Sequence, residues 1–429
     1  MPTNVTAIIL LIGVFFILLI MRMPIVFAIG FSTLVTILYL GIPIQLMLQN
    51  MVKGINTFTL LAVPFFILAG EIMSIGGISR RLVALSNALV GWMRGGLAMV
   101  NIVASMFFGG ISGSSAADTS SLGPILIPLM TEQGYDLDFS TNVTMTSSVQ
   151  GILIPPSHNM VLYSLAAGSV SIGGLFLAGF VPGVFLGIAL MVYSYIISVK
   201  RNYPVSEKFS LKRVIETFVD AVWGLLTVLI VVFGVISGVF TATESAAIAV
   251  LWALFVTFVI YREVPVTAMW GVLGRTIKTL SIVMILIGTS GAFGWVVAYL
   301  RVPKIITEAI LGTTTNKYVI LIILNLILLF LGTIMEMSCI ILIATPILLP
   351  IALKIGLDPI HFGVIMILNL GIGLITPPVG STLFIGSAIS GVRIEQLAKT
   401  LIPFYLVMIG VLIVVTYIPA VSMTLPRLL

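Results

Sequence analysis

The sequence predicts an all-α polytopic membrane protein made of two copies of one helical unit. Each copy holds five transmembrane helices and one re-entrant hairpin. Three observations carry this expectation. First, 60% of the 429 residues are hydrophobic and 8% are charged, a composition far from that of soluble domains. Second, apolar runs recur from end to end, each of about 17 to 25 residues, enough to cross a hydrocarbon core of roughly 30 Å. Third, helix-breaking residues repeat at an offset of 222 positions. Gly151-Ile152-Leu153-Ile154-Pro155-Pro156 returns as Gly373-Leu374-Ile375-Thr376-Pro377-Pro378, and Pro124-Ile125-Leu126-Ile127-Pro128 as Pro346-Ile347-Leu348-Leu349-Pro350. Between 110–175 and 332–397, 14 of 66 ungapped positions are identical, every proline of the first window among them. A membrane barrel requires short alternating strands, which are absent.

The elements follow in order. Val5 to Met21 lacks a basic start, and Met21-Arg22-Met23-Pro24 is a poor cleavage site, so this run reads as a retained helix. Spans over 25–40 and 57–75 come next, then a less apolar, mildly amphipathic segment, 78–92, with the pattern of an interfacial arm. Two short apolar legs joined by Ser112-Gly113-Ser114-Ser115 make a hairpin at about 95–131. So brief a break cannot reach water, and the chain turns back inside the bilayer. A broken helix over about 138–170 and a span over 174–199 complete the first unit, residues 1–200. A polar cytoplasmic linker, 201–216, leads to the second unit, 217–429. Its spans are 217–239, 243–261 and 280–299, followed by an arm at 301–313, a hairpin at about 318–350, a broken helix at about 360–391 and a last span at 400–422.

Five crossings per unit is an odd number, so the second unit starts from the opposite face and the repeat is inverted. Lysine and arginine set the orientation. With the N-terminus periplasmic, 14 of the 20, from Arg22 to Lys399, fall on the cytoplasmic side, and Lys53, Arg301, Lys304, Lys317, Lys354 and Arg427 fall outside. The net charge of +6 is spread over loops, which suits anionic lipid headgroups and gives no nucleic-acid surface. Cys339 is the only cysteine, so there is no disulfide framework.

The double prolines carry the chemistry. Proline blocks the bond to the carbonyl four residues back. Pro155 and Pro156 thus release the carbonyls of Gly151 and Ile152, and Pro377 and Pro378 those of Gly373 and Leu374. An orphan carbonyl in hydrocarbon costs several kcal/mol unless something satisfies it. Neighbouring helices can satisfy one kink, but two doublets in register favour a dehydrated cation. After each break come small polar residues, Ser157, His158 and Asn159, then Gly380, Ser381 and Thr382. They open the second half-helix, whose free amides suit an anion such as a carboxylate; back-bonding within a packed helix is the plainer alternative. The first hairpin tip is dense in small residues, which also mark close helix contact. In the second tip Glu336 stands where the first has Ser114, so the two sites are not chemically equivalent.

Acidic residues near the spans are Glu71, Asp118, Glu244 and Glu336, too few and too scattered for a proton relay. His158 is either a ligand contact or a hydrogen-bonded core histidine. No metal-ligand spacing, phosphate cradle or nucleophile–base set is visible, so the chain does not read as an enzyme. Without an ATP site, energy must come from an ion gradient. Broken helices at matching positions of a duplication read as a secondary transporter.

At these residues the chain resembles the large membrane subunit of the tripartite ATP-independent periplasmic (TRAP) transporters. The stretches are Phe107-Phe108-Gly109-Gly110-Ile111-Ser112-Gly113-Ser114-Ser115-Ala116-Ala117-Asp118-Thr119, Ile154-Pro155-Pro156-Ser157 and Leu374-Ile375-Thr376-Pro377-Pro378-Val379-Gly380, and the similarity runs over nearly the whole chain. The resemblance implies a bacterial inner-membrane importer of organic acids, coupled to sodium. It implies an elevator motion, in which a transport domain holding both hairpins and both broken helices moves against a scaffold. Two partners are implied: a small four-helix membrane subunit, expected as a separate polypeptide, and a soluble periplasmic binding protein. Sialic-acid importers are the most similar subfamily, and importers of four-carbon dicarboxylates come next.

On this reading one sodium lies between Ser112, Ser114 and Ser115 of the first tip and Gly151, Pro155 and Asn159 of the first break. Another lies between Gly332 and Met337 of the second tip and Gly373, Thr376, Pro377 and Gly380 of the second break. The substrate carboxylate sits near Ser157, His158, Asn159, Ser381 and Thr382, and no cofactor beyond sodium is expected. Two alternatives stay open: a stand-alone sodium/carboxylate symporter that needs no binding protein, and an ion channel using the carbonyls as a filter.

Overall fold

The computed structural model describes residues 5–21, 23–168, 170–206 and 208–428; the described residues are helices joined by short turns, with no strand among them. Arg22, counted above among the cytoplasmic charges, lies outside them. The first half begins with α1 (Val5–Ile20), α2 (Ile25–Tyr39), α3 (Ile44–Ile55) and α4 (Ala62–Ile75), the last entered through a 3₁₀ turn at Phe58–Leu61. The arm α5 (Ile78–Val90) leads to the hairpin legs α6 (Gly96–Ser112) and α7 (Ser115–Glu132). Then come α8 (Leu137–Ser148), α9 (His158–Ala166) and the long span α10 (Ile172–Lys200). The second half repeats this with α11 (Leu211–Ile236), α12 (Ala242–Phe255, continued by a π turn to Tyr261), α13 (Met269–Tyr299) and the arm α14 (Val302–Thr313). Its hairpin is α15 (Lys317–Ile334) and α16 (Met337–Lys354), its broken helix α17 (Pro359–Gly373) and α18 (Ser381–Ser390), and it ends with α19 (Ile394–Tyr417) and α20 (Ala420–Met423).

The distribution of polarity is that of a protein solvated by lipid. Phe233, Leu251 and Leu406 are 65%, 66% and 67% exposed, while Asn101, Asp118 and Thr144 are fully buried. In water this arrangement would cost free energy on both counts; in hydrocarbon it is the stable one. Eight helices among the described residues are long and apolar enough to cross a membrane.

The two halves exchange partners. α9 packs on α16, and its counterpart α18 packs on α7; α10 packs on α17, and α19 on α8. Likewise α4 packs on α12 and α13 on α2. Each contact has an equivalent with the halves swapped, which is what a two-fold relation between them produces. α7 and α16 cover residues 115–132 and 337–354, matched end to end at the 222-residue offset.

Three boundaries differ from the expectation, all for one reason. α11 starts at Leu211 rather than 217, taking in part of the predicted linker. Its first turns are polar (Lys212 and Glu216 pair at i,i+4), so the apolar run begins later than the helix does. α13 starts at Met269 rather than 280, because Arg275 and Lys278 interrupt its hydropathy; Arg275 Nε bonds Glu71 Oε2 on α4 at 2.8 Å. α19 starts at Ile394 rather than 400, with Glu395 and Lys399 in its first turns. The amphipathic α3 was not expected at all. It lies against α13, where Gly54 and Gly291 let the two backbones touch.

Candidate transport site

Each hairpin turns on local sequence. Gly113 ends α6 at φ +60°, a left-handed cap that a side chain resists. Ser114 then caps α7, its Oγ accepting the Ala117 N–H at 3.4 Å. In the second half the equivalent residue, Glu336, caps α16, its carboxylate accepting the Ser338 N–H at 2.8 Å. One offset position thus plays one backbone role with two chemistries, serine and carboxylate. The breaks are equally local. α8 tightens into a 3₁₀ turn at Val149–Ile152, passes the cis Pro155-Pro156 bond and restarts at His158. α17 stops at Gly373, passes the cis Pro377-Pro378 bond and restarts at Ser381.

Glycine sets how closely each hairpin lies on its break. A Cβ on Gly109 would stand 2.1 Å from Gly151 Cα, and one on Gly373 would stand 2.6 Å from Gly332 Cα. A Cβ on Gly113 would meet the Pro156 carbonyl oxygen at 2.7 Å. The Val379 N–H donates to the Thr333 carbonyl at 3.0 Å. The Ser112–Ser115 tip therefore meets the Gly151–Asn159 break, and the Gly332–Met337 tip meets the Gly373–Thr382 break. The halves also meet each other: Ser115 Oγ is 2.6 Å from Ser148 Oγ and 3.0 Å from Thr382 Oγ1. A residue expected near the cation thus touches one expected near the anion. Ser157 and Asn159 are buried at the start of α9, whereas His158, Ser381 and Ser114 are partly exposed.

The expectation of bare carbonyls in both halves is corrected for the second. There the Gly373 carbonyl accepts the Thr376 N–H and the Leu374 carbonyl accepts the Thr382 N–H, both at 3.0 Å. Thr376 Oγ1 in turn donates to the Ile372 carbonyl at 2.7 Å. One donor comes from Thr376, just before the prolines, and the other from Thr382, where the restarting helix folds back on the break. At the first break no hydrogen bond among the described residues ends on the Gly151 or Ile152 carbonyl. The two breaks share a shape and differ in unspent acceptors.

The residue that reading by repeats passed over is Asp118. It is fully buried in the first turn of α7, where the helix dipole favours a negative charge. Ser105 Oγ donates to its Oδ1 at 3.2 Å, and Ser105 bonds Ser147 Oγ at 2.9 Å. Its Oδ2 has no partner among the described residues and lies 3.5 Å from where a Gly151 Cβ would stand. Thr119 Oγ1, Ser157 Oγ and Asn159 Oδ1 are likewise buried without partners. A buried carboxylate with one hydrogen bond and no counter-charge costs several kcal/mol, and a cation bound beside it relieves that cost. The signal was present as Ser114-Ser115-Ala116-Ala117-Asp118, an acid one turn behind a helix cap. It was masked because Ile340 occupies the equivalent position of the second half.

Two helical halves that trade broken helices across each other's hairpins, with unpaired oxygens gathered where the helices stop, define a secondary transporter. The family model for the tripartite ATP-independent periplasmic transporter, DctM component, matches residues 12–421. The chain belongs to this family of large permeases, secondary transporters of organic acids rather than enzymes. It is 45% identical over 424 residues to the uncharacterized protein YgiK of Salmonella typhimurium, covering 98% of this chain and 97% of that one. It is 41% identical to the C4-dicarboxylate TRAP transporter large permease protein DctM of Pseudomonas aeruginosa, over 86% of both chains. It is 39% identical to the sialic acid TRAP transporter large permease protein SiaM of Vibrio cholerae, over 96% of both. Among solved structures, the fold is similar to that of Neisseria gonorrhoeae MtrF, with TM-score 0.63, 14% identity and coverage of 89% of this chain and 83% of that one. Permeases of this family work with a small membrane subunit and a periplasmic binding protein.

Proposed function

We propose that this chain is the sodium-coupled permease of a bacterial inner-membrane importer of an organic acid, sialic acid first and a four-carbon dicarboxylate next. The observation that carries the coupling is Asp118: a buried carboxylate oxygen without a partner, beside Gly151, whose carbonyl no hydrogen bond among the described residues reaches. A sodium ion there takes oxygens from the Ser112–Ser115 tip and the Gly151–Asn159 break together, so binding it closes one on the other. The Ser115–Thr382 contact passes that closure to the second break, where Ser381 and the amides opening α18 receive a carboxylate. The second ion, between the Gly332–Met337 tip and the Gly373–Gly380 break, would use the second lone pair of carbonyls that already accept one bond. The hairpins and broken helices, α6–α9 and α15–α18, then travel as one body against α1–α4 and α11–α13. The substrate classes come from the relatives named for sialic acid and for C4-dicarboxylates. Delivery by a periplasmic binding protein and docking of a four-helix subunit, with the N-terminus periplasmic, complete the reading.

The test is uptake of labelled N-acetylneuraminate and succinate into proteoliposomes carrying this chain, its small subunit and its binding protein. Uptake of one of them should collapse when sodium outside is replaced by choline. Uptake unchanged by that replacement refutes the coupling, and uptake by this chain alone refutes the need for partners.

A further inference from the structure

A cleft of about 330 Å³ opens between the two bodies, away from the breaks. α3 and α13 supply one wall with Asn50, Lys53 and Ser290, joined by Thr57 just beyond the end of α3; Leu165 of α9 and Leu342 of α16 lie on the other. Ser290 is 3% exposed, and among the described residues its Oγ has no partner; the buried Thr57 Oγ1 has none among them either. No carboxylate pairs with Lys53 among the described residues. Asn50 Nδ2 gives one bond to the Leu46 carbonyl at 2.7 Å and keeps its other N–H. α3 lies flush on α13, because a Cβ on Gly291 would stand 3.0 Å from the Asn50 carbonyl oxygen, so the backbones that carry these groups are held together. This wall offers one cation without a carboxylate partner, two unspent hydroxyls and one amide hydrogen to an acceptor-rich group, which is the complement of a carboxylate.

Position adds to chemistry. Lys53 falls on the periplasmic side of the charge-derived topology. From His158, which opens α9 at the first break, to Leu165 in the cleft is seven residues, about 10 Å along a helix. We propose that this cleft is a separate anion site that takes the carboxylate of the incoming acid before it reaches the breaks, an assignment that rests on the import reading above. Its walls belong to the two bodies that move against each other, so the site is complete in one arrangement of them and split in the other. A lipid phosphate presents similar oxygens, and the experiment separates the two sources.

Cys339 is the only cysteine and is buried, so a single new thiol reports cleanly after Cys339→Ala. In that background Asn50→Cys is reacted with an anionic sulfonatoethyl and a cationic trimethylammonioethyl methanethiosulfonate, in proteoliposomes carrying the small subunit and no sodium. The ratio of anionic to cationic rates should fall roughly tenfold in Lys53→Gln, as expected when a nearby unit charge acts oppositely on the two reagents. Lys53→Arg should restore it, and excess succinate should slow the sulfonate reaction in the Lys53 protein but not in Lys53→Gln. A ratio indifferent to residue 53, or no reaction with either reagent, overturns the site. Succinate without effect, with protection that rises with phosphatidylglycerol content, assigns the oxygens to lipid and overturns the substrate role. Because no sodium is present, failure of the coupling test leaves this result readable.

Discussion

Gly109→Ala tests whether the cation site is built by backbone contact. The new Cβ would stand 2.1 Å from Gly151 Cα, and its other near neighbours, Gly151 N at 3.1 Å and Gly151 C at 3.3 Å, are also backbone. No rotamer can move out of the way. Restoring an ordinary carbon–carbon contact requires the first hairpin leg and the break to separate by about 1.5 Å. An oxygen held about 2.4 Å from a hard cation does not survive a displacement of that size. Overpacking of this kind costs about 1–3 kcal/mol, and where the strain relaxes by opening the site, the cost is charged to ion binding. At a factor of ten per 1.4 kcal/mol, the sodium concentration that half-saturates uptake should rise roughly tenfold or more. Gly410→Ala, in α19 with nothing within 4 Å of its Cβ, is the matched control and should behave as wild type. The assay is initial uptake against sodium concentration, normalised to the amount of protein in the membrane. A Gly109→Ala curve that overlays the Gly410→Ala curve would refute the argument.

Asp118→Asn keeps the shape and removes the charge; uptake should fall at least tenfold while the melting temperature without substrate stays level or rises, since the buried charge is gone. Undiminished uptake would remove Asp118 from the site. Ser115→Ala and Thr382→Val should couple in a double-mutant cycle by about 0.5–1.5 kcal/mol in thermal unfolding, and strict additivity would mean that the halves do not touch there. Arg81 bonds Asp220 at 3.0 Å and Glu263 at 2.6 Å and lies 3.7 Å over the Tyr261 ring, tying the arm α5 to α11 and to the end of α12. Arg81→Ala should destabilise by about 1–2 kcal/mol after allowing for solvent screening, and Arg81→Lys, which loses the planar fork, should recover only part of it. Melting curves of both variants identical to wild type would show that the arm is held by its apolar face alone.

The hairpins and breaks were legible because glycine and proline act on backbone within a few residues of themselves. Gly113 had to end a leg, and Pro155-Pro156 and Pro377-Pro378 had to stop a helix, wherever the chain went next. Helix starts at Leu211, Met269 and Ile394 were not legible from apolar runs, because polar residues at the bilayer edge form helix without hydropathy. α3 was missed for the same reason: polar residues interrupt its apolar run, and only packing sets Met51 and Gly54 against α13, far along the chain, while Leu48 and Val52 stay more than half exposed.

The sequence by itself determined the duplication, the membrane class, the family and the places where backbone bonding must fail. Tertiary structure alone decided which failures stay open. At the second break the Thr376 N–H, just before the prolines, and the Thr382 N–H, from the restarting helix, cover the two carbonyls. At the first no hydrogen bond among the described residues reaches the Gly151 or Ile152 carbonyl, and Asp118 Oδ2 stays unpaired beside them. It also set Ser115 against Thr382, 267 positions away. A proline removes a bond through its own ring, which is a local matter; what fills the gap depends on how the chain beyond it folds back and on what the packing brings within about 3 Å.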